Sequence, residues 1–148
     1  MGSSSPATDA ATLRARQISI SINRPPVEVY DFVVNYENLP KWAAGLSNGI
    51  TKLGDDWVAD SPMGRVKVKF VEANTLGVLD HDVTLPSGEV IRNPMRVVPN
   101  GGGSELTFTL YRLEGVTDDQ FRTDAAMVEQ DLRRLKRLLE NGQPTPAP

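Results

Sequence analysis

A chain of 148 residues, 39% apolar and 24% charged, is long enough to build one hydrophobic core and shows no sign of a second domain. It has no cysteine and a single histidine, which excludes disulfides, thiol chemistry and iron–sulfur clusters and leaves a structural zinc site almost no ligands, so no metal or other cofactor is expected. A net charge of −3 argues against a nucleic-acid binder that relies on phosphate contacts, and no apolar run is long enough to span a membrane, so neither nucleic acid nor integral membrane association is expected.

The opening MGSSSPATDAAT lacks the apolar core of a secretory signal, so residues 1–15 read as a flexible tail and the default location is cytoplasmic. Ile18, Ile20 and Ile22 then alternate with polar residues, the period-two pattern of a half-buried strand. Pro25 and Pro26 cannot continue a ladder but suit a helix start, and Val29, Phe32, Val33 and Tyr36 follow at helical spacing. A second short helix or turn spans Glu37 to Trp42, with Pro40 disfavouring a helical Leu39. From there the turn signals divide six strands: Gly49–Leu53, Trp57–Ser61, Arg65–Val71, Gly77–Thr84, Val90–Val98 and Glu105–Leu113. Alternation puts Val66, Val68 and Phe70 on one face and Leu106, Phe108 and Leu110 on another apolar face. The last element, Asp118–Glu140, carries Phe121, Ala125, Val128, Leu132, Leu135 and Leu139 at alternating steps of four and three, a single helical stripe. Thr117 is its N-cap, acidic residues open it, basic residues close it, and Asn141 with Gly142 offers a left-handed stop. Residues 142–148 read as a disordered tail, so the domain is expected at 16–141. About seven antiparallel strands with one long apolar-striped helix define a two-layer α+β domain.

The segment PPVEVYDFVVNYENLPKW, Pro25 to Trp42, resembles the entry motif of the START-like, or SRPBCC, superfamily, and most of all its polyketide cyclase/dehydrase branch. The ending DLRRLKRLLE, Asp131 to Glu140, resembles that family's closing helix. The resemblance implies a helix-grip fold, a curved sheet wrapped on the final helix around a hydrophobic cavity. It does not choose among the family's functions, which include polyketide cyclases, lipid and sterol carriers, hormone receptors and activators of a heat-shock ATPase.

Chemistry-bearing residues are few. Gly45 to Gly49 spell G-x-S-x-G, but the helix precedes and the strand follows, the reverse of a nucleophile elbow, so this is a loop. His81 shares the parity of Leu79 and Val83 and is expected to face the cavity, with Asp80 and Asp82 turned away. Its first reading is a hydrogen-bonded structural group, then a ligand contact, then an acid or base. Asn93 and Arg112 are the other weak catalytic candidates, with Arg112 read first as a strand-end residue reaching solvent. Trp42 and Trp57 could line a ligand site but are read first as plain core. The expected lining is Val68, Phe70, His81, Asn93, Met95, Phe108, Met127 and Val128. The expected function is binding of a small hydrophobic or amphipathic ligand; alternatives are a cyclase/dehydrase-type enzyme or an ATPase-activator-like interaction module.

Overall fold

The computed structural model describes residues 10–142, so the expected tails at 1–15 and 142–148 lie mostly outside the described residues. Within that range there are three α-helices and eight strands, the strands forming two antiparallel sheets of three and five that wrap a long C-terminal helix, the helix-grip arrangement. Strand β1 (Ala15–Ile22) is followed by helices α1 (Pro26–Val34) and α2 (Leu39–Trp42), with a 3₁₀ turn at Tyr36–Asn38 between them. Then come β2 (Ile50–Leu53), β3 (Asp56–Ser61), β4 (Gly64–Phe70), β5 (His81–Thr84), β6 (Val90–Asn93), β7 (Met95–Asn100), β8 (Gly103–Tyr111) and helix α3 (Asp118–Arg137).

Leu39 is helical with φ −54° and ψ −45°, contrary to the expectation from Pro40. The reason is position: Pro40 lies in the first turn of α2, where its missing N–H costs no helical bond.

The ladders run β1-β8-β7 and β2-β3-β4-β5-β6. They meet because the expected strand Val90–Val98 bends at Pro94, giving β6 to one ladder and β7 to the other. The register of β5 with β6, His81 opposite Asn93, is kept across the bend by the Val78–Arg96 bridge. Leu79 N–H donates to Met95 O at 2.8 Å and Val97 N–H to Gly77 O at 2.9 Å. Proline has no N–H for the ladder, so a strand carrying it mid-length breaks there. Backbones approach closely at this seam: Gly77 has φ +74°, and a Cβ there would lie 2.1 Å from Val97 O.

The inner surface follows the alternation. Val66, Val68, Phe70, Leu79, Val97 and Leu106 are buried, and so are Phe121, Ala125, Leu132, Leu135 and Leu139 of the helical stripe, with Val128 half-buried. Thr117 Oγ1 accepts from Gln120 N–H at 3.1 Å, capping α3 as expected. At its other end α3 widens into a π turn, Leu138–Gly142, in place of the expected left-handed stop. Two tertiary bonds and one within the helix hold that turn: Arg24 donates to Glu140 O at 3.0 Å, and the Glu140 carboxylate accepts from Asn23 N–H at 2.6 Å and from Lys136, one turn earlier, at 2.8 Å.

Candidate functional site

Register places one row of inward-pointing side chains across three strands: Phe70 of β4 opposite His81 of β5, and His81 opposite Asn93 of β6. The neighbouring row is Trp57, Val68, Val83 and Ile91. Val68 and Phe70 are buried, whereas Trp57, His81, Val83, Ile91 and Asn93 keep accessible surface although they share the face of the core. The concave side is therefore covered over β4 and left partly open over β5 and β6.

Aromatic rings run unbroken along this face. Trp57 stacks on Tyr36 with centroids 5.0 Å apart and planes 3° from parallel, and Tyr36 meets Phe70 edge-on at 5.2 Å. Phe70 lies 5.2 Å from the His81 ring, which lies 6.1 Å from Phe108 of β8. Tyr36 is fixed in place by its hydroxyl, which accepts from Phe70 N–H at 2.8 Å. Such tilted and offset pairs each contribute about 0.5–1.5 kcal/mol beyond the area they bury. Tyr36 was not legible as part of this series, because its helical spacing shows only that α1 has an apolar face; its bond to β4 exists only in the folded chain.

His81 Nδ1 lies 3.1 Å from Leu79 O. A carbonyl oxygen only accepts, so Nδ1 carries the proton and Nε2 keeps a free lone pair. That lone pair faces Asn93 Nδ2 at 3.5 Å, the long limit of a hydrogen bond. Burial of the ring pushes the His81 pKa below its usual 6.5, against the smaller opposing effects of the Leu79 carbonyl and of Asp80 and Asp82. The ring thus combines a partly accessible surface with a position deep among protein atoms, as expected of a side chain lining a recess rather than the outer surface.

Asp80 and Asp82 point to the opposite face, as the alternation predicts, but only Asp82 behaves as an ordinary surface carboxylate, paired with Arg92. Asp80 is 7% exposed. It stands across from the bend at Pro94, where its Oδ1 accepts the Met95 N–H at 2.8 Å and its two oxygens accept from Arg96 at 3.1 and 2.9 Å. Those Arg96 bonds hold its pKa below the usual value despite the opposing effect of burial. Nothing in the local pattern singles Asp80 out except its position next to a histidine.

Other expected site residues are dispersed. Met95 is fully buried, and Met127 is 46% exposed on the outer side of α3, so neither presents surface to the open part of the concave face. The helical step explains the second: Met127 stands about 200° around the axis from Ala125, while Val128 stays on the stripe. Arg112 donates to Val116 O at 2.7 Å and pairs with Asp118, tying the end of β8 to the start of α3. It is therefore committed to the frame, in keeping with a strand-end role. Trp42 is buried, and its indole N–H has no partner among the described residues.

Surface hollows among the described residues include three that bear on this face or on α3. The one adjoining the ring series measures about 270 Å³ and is lined by Tyr36, Trp57, Val68 and Phe70 together with Lys52, Asp55, Asp56, Lys67 and Lys69. One of about 230 Å³ includes Thr51, Leu53 and Val58, and one of about 290 Å³ lies between β1 and α3 beside Ser19, Ser21 and Glu105. None of the three is lined by His81, Asn93 or Phe108. Among the described residues no group of three or more His, Cys, Asp or Glu is placed to hold a metal ion, and no helix is long and apolar enough to cross a membrane.

Residues 16–140 match the family described as polyketide cyclase/dehydrase and lipid transport. No curated protein matches the chain. Among solved structures, the Aha1 dimer of Colwellia psychrerythraea superposes with a TM-score of 0.71 at 17% identity, covering 89% of this chain and all of that one. DynU16, from the dynemicin biosynthetic locus, gives 0.66 at 19% identity over 88% of this chain; the match covers 48% of DynU16, about half its length. Ara h 8.0201 gives 0.62 at 12% identity, covering 86% of this chain and 98% of that one. At these identities the likeness is one of fold.

Proposed function

Because the chain belongs to the polyketide cyclase/dehydrase and lipid transport family, we propose that it binds a small hydrophobic or amphipathic molecule, of lipid, aromatic or polyketide-like class, on its concave face and does not convert it. The carrying observation is the ring series Trp57, Tyr36, Phe70, His81 and Phe108, flanked by inward-facing side chains that remain accessible. Apolar surface that faces a core yet stays accessible is the ordinary condition of a small-molecule site. The absence of catalysis is supported by the direction of the nearby carboxylates: Asp80 is committed to Met95 and Arg96, and Asp82 to Arg92. Neither orients His81 as the third member of a triad would. The proposed contacts are Phe70, His81, Asn93, Phe108 and Val128, with the hollow beside Tyr36 and Trp57 as the approach. Titration of the isotope-labelled protein with lipids, flavonoids and sterols should shift the amides of these residues at micromolar ligand. A panel that leaves all of them unmoved sinks the proposal.

A second reading, a cyclase/dehydrase-type enzyme, is favoured by one observation: the unprotonated Nε2 of His81 beside the Asn93 amide. A base and a hydrogen-bond donor so placed suit proton removal next to a carbonyl, with Asn93 stabilising the enolate. His81→Gln separates the two readings. A binder should lose about tenfold affinity or less, one hydrogen bond; an enzyme should lose at least about a hundredfold in turnover.

A further inference from the structure

We propose that His81 makes this site selective for an uncharged ligand bearing a hydroxyl that donates a hydrogen bond, and selective against carboxylates. The inference rests on the reading that the concave face binds a ligand, and it goes further by assigning polarity to the contact. His81 has one donor and one acceptor in its neutral form, and the donor is spent inside its own strand on Leu79 O. What it presents is the Nε2 lone pair, held only loosely by Asn93 at 3.5 Å. Asn93 turns its amide Nδ2 toward that lone pair, so the free acceptor at this point is the histidine nitrogen. An acceptor nitrogen between the rings of Phe70 and Phe108 suits an O–H group.

A carboxylate meets the opposite conditions. It would face the Nε2 lone pair of His81 and would have to leave water beside apolar rings. Lys67, Lys69, Arg92 and Arg96 alternate to the other face of the sheet, the last two already paired with Asp82 and Asp80. Lys52, Lys67 and Lys69 edge the hollow beside Tyr36 and Trp57, which His81 does not line. The selectivity thus comes from the bond to Leu79 O, which fixes which nitrogen is free, rather than from the identity of the histidine alone.

The test uses 2-naphthol, 2-methoxynaphthalene and 2-naphthoate with the full chain at pH 7.5. Naphthol should bind about tenfold more tightly than its methyl ether, the value of one hydrogen bond, and naphthoate should bind weakest. His81→Phe keeps a ring between Phe70 and Phe108 but removes the acceptor, so the naphthol-to-ether ratio should fall to about one. Equal binding of all three probes, or tightest binding of naphthoate, overturns the selectivity while leaving the binding site intact. Failure of all three to bind removes the site itself. Should the variant not fold, the tautomer is read directly on the native chain, whose only histidine gives one set of imidazole signals in a long-range nitrogen–proton correlation. A proton on Nε2 in that spectrum refutes the proposal.

Discussion

Replacing Asp80 tests whether the bend in the sheet is held by a side chain. In Asp80→Ala the Met95 N–H, 2.8 Å from Oδ1 in a fully buried residue, loses its acceptor. An orphaned buried donor costs about 1–3 kcal/mol. The two bonds to Arg96 go as well, but the Arg96 side chain is 57% exposed, so solvent screening limits that contribution to about 1 kcal/mol. Together the substitution should cost about 2–4 kcal/mol. Asp80→Asn keeps an oxygen for Met95 and should cost about 1 kcal/mol. Urea unfolding measures both, and hydrogen exchange at Met95 supplies the local readout, faster in the alanine variant than in the asparagine one. The pH dependence has a fixed sign. Because Arg96 holds the Asp80 pKa below its ordinary 3.8, the charge contributes stability that is fully present above that value and is lost as the pH falls through the lower folded one. The gap between native protein and Asp80→Asn should therefore be constant near neutrality and close in strong acid. An alanine variant within about 0.5 kcal/mol of the native chain, with Met95 exchange unchanged, would show that the bend does not depend on this carboxylate.

Leu132→Asp places an unpaired charge in a residue that is 1% exposed, and should lower stability by several kcal/mol, about 4 or more, so a denaturation midpoint equal to the native one would contradict the packing of α3 on the sheet. Gly77→Ala combines φ +74° with a Cβ 2.1 Å from Val97 O, so a loss of about 2 kcal/mol or more is expected in the same assay, and a neutral result would mean that β7 does not approach there. The ring protons of His81 should titrate with a midpoint below 6.5. With its folded pKa lowered, His81 destabilises nothing above pH 6.5 and increasingly favours the unfolded chain as the pH falls from there to the folded value; a midpoint at or above 6.5 would place the ring in solvent.

Period and punctuation were enough to place the elements. The alternation of Ile18, Ile20 and Ile22, the 66–68–70 and 106–108–110 rows, and the stripe from Phe121 to Leu139 depend only on which face of a strand or helix must leave water, and that is written residue by residue. The inward direction of His81 followed from the same parity. The split of the expected strand at Pro94 was also written locally, in a residue that cannot donate to a ladder, but alternation alone ran through it. What only the tertiary structure decided are relations between residues far apart in the chain: Tyr36 hydroxyl on the Phe70 amide, Asp80 on the Met95 amide, and Arg112 on the start of α3. The same holds for the free nitrogen of His81, since the ring's tautomer depends on how its strand turns the Leu79 carbonyl toward it. A hydrogen bond needs its partner within about 3 Å, and sequence pattern carries orientation about an axis but no distance to another element. That is why a buried aspartate reads like any strand aspartate until the sheet bends across it.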